Sequence, residues 1–157
     1  MTTIVRTLFV GAMLAITTSV AAPAADPVIG TWKLNLAKST FSPGPAPRSQ
    51  IRTYAESPQG ITLTLKTTAA DGKEITTSVT FKEDGKPYAV SGNPEYDIVS
   101  AKRLDALTVQ SLLMTAGVTV GTSVRTVSQD GKTLTFAQKG TNSAGVKYDW
   151  VMVYDRQ

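Results

Sequence analysis

Cysteine and histidine are both missing from this 157-residue chain. Without cysteine there can be no disulfide, no thiolate metal site and no thiol nucleophile, and the lipid-acceptor cysteine of a bacterial lipoprotein is excluded as well. Without histidine there is no zinc site of the usual kind, no Ser–His pair and no default general base at neutral pH. Serine and threonine are plentiful, yet no Gly-x-Ser-x-Gly or Ser-x-x-Lys occurs to activate one. Phosphate-cradling and cation-binding loops are missing too. The sequence therefore reads as that of a non-enzyme with no cofactor and no metal. A carboxylate- or tyrosine-based site assembled only by folding stays open at this level.

Long apolar runs are also scarce. The longest candidate, Leu8 to Ile16, follows a positive region ending at Arg6 and precedes the small residues Ser19-Val20-Ala21 and Ala22-Pro23-Ala24. It is well short of the ~20 residues a bilayer span needs, so residues 1–24 read as a cleaved signal peptide, with cleavage after Ala21 or Ala24. The expectation is a single domain over 25–157, periplasmic or secreted, monomeric and free of the membrane once the leader is gone. Removing the leader takes away one basic residue, Arg6, and lowers the net charge from +4 to +3. The remaining basic residues are dispersed, with no run longer than Lys102-Arg103, so no nucleic-acid partner is expected.

What the chain has in quantity is alternation. Ile61-Thr62-Leu63-Thr64-Leu65-Lys66 places three aliphatics on one face and polar groups on the other. Similar runs cover 29–36, 51–56, 74–82, 88–90, 96–104, 107–114, 118–128, 134–139 and 146–156, which makes ten strands with no helical periodicity. Asp71-Gly72-Lys73, Asp84-Gly85-Lys86 and Asp130-Gly131-Lys132 supply the positive φ values that hairpin turns demand, and each predicts a pair of adjacent antiparallel strands. Short connections predict an up-and-down meander, and a sheet of this size avoids exposed edges by closing on itself. The expected fold is thus an all-β, up-and-down antiparallel barrel of about 8–10 strands; an open sandwich is the alternative. Residues 37–49 interrupt the pattern, because the prolines of Ser42-Pro43-Gly44-Pro45-Ala46-Pro47 favour an extended, semi-rigid loop, either a connector or a lid.

The first strand carries Ile29-Gly30-Thr31-Trp32-Lys33-Leu34-Asn35-Leu36, with Trp32, Leu34 and Leu36 alternating against polar neighbours. Gly30 lacks a side chain where another group can pack closely. A Gly-x-Trp opening an all-β chain resembles the start of the lipocalins and fatty-acid-binding proteins, the calycin group. That resemblance implies a ligand-binding barrel in which Arg156, ending the last strand, packs over the Trp32 ring. It also implies that Arg125 and Tyr154 match two parts of a carboxylate clamp, with Met152 standing where that family's second arginine would be.

The last strand presents Tyr148, Trp150, Met152 and Tyr154 on one face. Pointing inward, they would give a cavity aromatic walls suited to an apolar ligand with one polar end; a barrel simply filled by these rings is the competing reading. The functional expectation is a non-catalytic, bacterial exported protein that binds a small hydrophobic or amphipathic molecule. Tyr148, Trp150, Met152 and Tyr154 form the wall, Arg125 or Tyr154 orients a polar end, and Gly30, Trp32 and Arg156 are structural. The alternative is a periplasmic interaction or stress module with a filled barrel and no ligand.

Overall fold

The computed structural model describes residues 25–157, so the predicted leader lies outside the described residues. In chain order the strands are β1 (Gly30–Leu34), β2 (Thr40–Ser42), β3 (Ser49–Ser57), β4 (Gly60–Thr68), β5 (Glu74–Phe81), β6 (Asp84–Ala89), β7 (Ile98–Arg103), β8 (Thr108–Thr115), β9 (Val118–Val127), β10 (Thr133–Thr141) and β11 (Lys147–Arg156). Ten of them run in the order β5-β4-β3-β1-β11-β10-β9-β8-β7-β6, and β2 adds to β11 beside this path. All pairings are antiparallel, and the result is an up-and-down, nearly closed barrel. The strand between 29 and 36 stops early: Leu36–Lys38 forms one 3₁₀ turn, whose leading Asn35 side chain accepts the Lys38 N–H. Of the expected connection over 37–49, residues 37–38 belong to that turn, Thr40–Ser42 pair as β2, and the Ser42–Pro43 and Gly44–Pro45 peptide bonds are cis.

Closure rests on β1 taking β11 on one side and β3 on the other. Trp32 lies opposite Arg156, Lys33 opposite Asp155 and Leu34 opposite Tyr154. No short turn enforces this pairing, so side-chain fit must select the register. Trp32 is fully buried and its indole N–H donates to the Val28 carbonyl at 2.8 Å. The Arg156 guanidinium lies 4.1 Å from the ring centroid and donates to the carbonyls of Pro27, Ile29 and Gly131. This cap seals one end of the barrel. Gly30 is required there twice over: its φ is +135°, and a Cβ would come within 2.6 Å of Arg156 Nη1. Gly30→Ala is therefore expected to displace the guanidinium and lower stability by about 1–3 kcal/mol, read in urea unfolding. A variant as stable as wild type would show that the cap is decorative.

Two of the three Asp-Gly-Lys triplets connect paired strands, β4 to β5 and β9 to β10. The middle one does not, which corrects the expectation of a third hairpin. β6 pairs with β7, and its register slips between Asp84 and Pro87, with Gly85 at φ 79° inside the irregularity. Asp84 Oδ1 accepts the Lys86 N–H at 3.0 Å, the first cause of a carboxyl held below its ordinary pKa, and the Tyr88 hydroxyl adds to it. Pro87 cannot donate to a ladder, so the strand it occupies sits at the end of the sheet path. Among the described residues β5 and β6 consequently meet at a seam with a single backbone bridge, Ser78–Ser91, made by two 2.9 Å hydrogen bonds, to which the Ser91 hydroxyl adds a bond to the Ser78 carbonyl at 3.3 Å and the Asn93 amide one to Thr77 Oγ1 at 3.5 Å.

Candidate functional site

The buried face of β11 climbs from the sealed end to an open one. Tyr154 and Met152 are buried, while Trp150 and Tyr148 are half-buried. Above Met152 the barrel opens into a mouth of about 200 Å³ lined by Gln50, Thr77, Tyr96, Tyr148, Trp150 and Met152, with Arg52 at its base. A second, more open space of about 390 Å³ adjoins it under the Pro-rich segment, between Phe41, Pro45, Pro47 and Trp150. Below the mouth the barrel is filled: the void among Arg52, Tyr54, Tyr96, Arg125 and Phe136 is only about 40 Å³, room for little more than a water.

The Pro-rich segment forms one rim of the mouth. Phe41 of β2 pairs with Trp150 of β11, and their rings meet edge-on with centroids 5.6 Å apart. The Trp150 indole N–H donates to the Pro43 carbonyl at 3.3 Å, and the Tyr148 ring lies 5.0 Å from the indole on the strand. Tyr148 has room because its hydroxyl sits over Gly121 and Gly140, where a Cβ would come within 3.0 and 2.9 Å of that oxygen. The hydroxyl accepts from the Gln138 amide at 2.9 Å.

Of the residues expected to form the site, Tyr148, Trp150 and Met152 share the mouth. Tyr154 lies deeper, fully buried, and its hydroxyl donates to Gln50 Oε1, one layer below the opening. Burial keeps its phenol above the ordinary pKa despite the opposing Arg52 charge, so it is neutral at physiological pH. Arg125 is 5 % exposed and inside the barrel, but its charge is already matched: Nη2 lies 2.6 Å from Glu83 Oε1. The other Glu83 oxygen pairs with Arg103, which in turn pairs with Asp26. Arg125 thus belongs to a chain of alternating charges toward the sealed end.

Sequence reasoning missed Arg52. Hydropathy on β3 favours Ile51 as the inward residue, yet Ile51 is 40 % exposed and Arg52 only 4 %. Register decides the matter, because Arg52 lies opposite Trp32 and directly paired residues of antiparallel strands share a face. Trp32 points inward, so Arg52 must. The one signal available in the sequence was Tyr54, a large ring in phase with Arg52 rather than with Ile51. No family model and no curated protein matches the chain.

Chemically this end of the barrel offers aromatic faces, a thioether and amide and hydroxyl groups around a buried guanidinium. Among the described residues no group of three or more acidic side chains could hold a metal ion.

Proposed function

We propose that the protein is an exported, non-catalytic binding protein for a small hydrophobic or amphipathic molecule, held at the barrel mouth rather than deep within it. The observation that carries this reading is the half-open aromatic wall of Trp150 and Tyr148 above Met152, facing a concave space over a filled core. Apolar surface left beside a cavity and rimmed by polar groups is the ordinary form of a small-molecule site. Export rests on the leader read at 1–24.

The test uses Trp150 as reporter. Trp32 is sealed at the other end of the barrel, so a ligand at the mouth should change the emission of Trp150 and leave that of Trp32. Neutral and anionic eight-carbon probes are expected to shift the emission and to raise the melting temperature, because a ligand at 100 times its Kd stabilises the folded state by about 2.7 kcal/mol. Met152→Glu, which puts an unpaired charge beneath the wall, is expected to abolish binding of neutral apolar probes. If wild type shows neither shift with any probe, the interaction-module alternative takes the place of this reading.

A further inference from the structure

Gly121 and Gly140 lie inside β9 and β10, directly opposite one another, where glycine ordinarily weakens a strand. Neither has the positive φ that would call for glycine. Space is the reason: a Cβ at Gly121 or Gly140 would come within 3.0 or 2.9 Å of the Tyr148 hydroxyl, and either would also press on the facing backbone. Two strand positions are thus given up to seat one phenol. The Gln138 amide donates to that hydroxyl at 2.9 Å, which leaves Gln138 Oε1 to accept a hydrogen bond and the Tyr148 O–H to donate one. Gln138 is also directly opposite Trp150, so the two side chains are neighbours on the inner face. An aromatic wall therefore carries an acceptor and a donor side by side along its border. Trp150 itself is held by Pro43 and Phe41, and it borders both the mouth and the space under the Pro-rich segment.

We propose that the mouth selects a flat, uncharged ring system with a lactam edge, an N–H beside a C=O. The ring stacks on Trp150, its N–H donates to Gln138 Oε1, and its carbonyl accepts from the Tyr148 hydroxyl. This rests on the mouth being a ligand site and adds the chemical class of the ligand. Shape favours a ring over a chain. The mouth holds about 200 Å³ and adjoins a wider space under the Pro-rich rim. The void beneath it is only about 40 Å³, so an extended chain has no bore to enter. A cavity of about 150 Å³ takes one benzene, which makes a two-ring molecule the size that fills this mouth. A rigid ring also loses little freedom on binding, and the indole that receives it is already in place.

Quinolinone, a two-ring lactam, is compared with its N-methyl derivative, with naphthalene and with octan-1-ol, by calorimetry and melting temperature. Stacking on an aromatic side chain corresponds to about 5- to 150-fold in affinity, so quinolinone should bind well ahead of octan-1-ol. Blocking its N–H with a methyl group should cost about 2- to 12-fold, the range of one neutral hydrogen bond. Gln138→Met is expected to erase the preference for quinolinone over the N-methyl compound and to leave naphthalene affinity near wild type. If that variant does not fold, the wild-type comparison of the four probes decides. Octan-1-ol binding as tightly as quinolinone overturns the ring assignment and leaves the binding-protein reading standing. Equal affinity for quinolinone and its N-methyl derivative overturns the edge contacts of Gln138 and Tyr148. If none of the four binds or raises the melting temperature, the mouth is not a ligand site and both inferences fall together.

Discussion

Glu83→Gln is expected to cost the fold about 3–5 kcal/mol, the usual penalty for removing one partner of a buried ion pair. Glu83 holds Arg125 with one oxygen and Arg103 with the other, and the side chains of Glu83 and Arg125 are 7 % and 6 % exposed. Glutamine keeps the shape and removes the charge, so Arg125 is left inside the barrel as an uncompensated cation. Arg103 suffers less, since it is partly solvated and still meets Asp26. Urea unfolding measures the loss. The double variant Glu83→Gln/Arg125→Met should recover most of it, because removing the stranded charge removes the cause. A loss within about 0.5 kcal/mol, the range of an ordinary surface substitution, would mean that water reaches Arg125 and the pair is not buried in solution.

Trp32→Ala should destabilise the protein by a similar amount, about 3–5 kcal/mol, for a different physical reason. The ring is fully buried, and removing it opens a cavity that the stiff surrounding strands cannot collapse into. It also leaves the Val28 carbonyl without its donor and Arg156 without the surface it lies on. Trp150→Ala provides the contrast. That indole is half-buried, and its loss should weaken probe binding at the mouth while costing far less stability. Thermal melts of the two variants beside the Trp150-dependent binding assay separate a residue that holds the barrel from one that serves the site. If Trp150→Ala destabilised as much as Trp32→Ala, the rim would be part of the core and the mouth would lose its claim to function.

How far the sequence goes is clear from these residues. Strand positions were legible because alternation reports them directly, and the ten runs correspond to ten strands of the sheet path. The Gly30, Trp32 and Arg156 cap was legible as a resemblance, and the structure brings all three together. Tyr148, Trp150 and Met152 were legible as one face of one strand. Arg52 was not, since its direction depends on which residue of β1 lies opposite, a long-range fact that hydropathy on β3 misreports. Glu83 lies between strands, where periodicity says nothing. The middle Asp-Gly-Lys triplet looked like its two siblings, and only the absence of β5–β6 pairing distinguishes it. Local pattern fixes which residues form strands; cross-strand register fixes what the barrel interior contains.

The seam between β5 and β6 has a dynamic consequence. Every other neighbouring pair of strands is joined by a ladder of several residue pairs, irregular only in β6–β7 and β8–β9, but here a single backbone bridge, Ser78 to Ser91, closes the ring. Ser78 follows Thr77, and Asn93 lies two residues beyond Ser91; both Thr77 and Asn93 line the mouth. Parting that bridge widens the binding end while leaving every hairpin intact, so it is the least costly opening this architecture has. Amide protons of Ser78 and Ser91 should therefore exchange with solvent deuterium through small fluctuations, whereas those of β9, β10 and β11 wait for global unfolding. A ligand seated in the mouth would then brace a wall that breathes along one line, and its arrival would slow exchange at the two serines first.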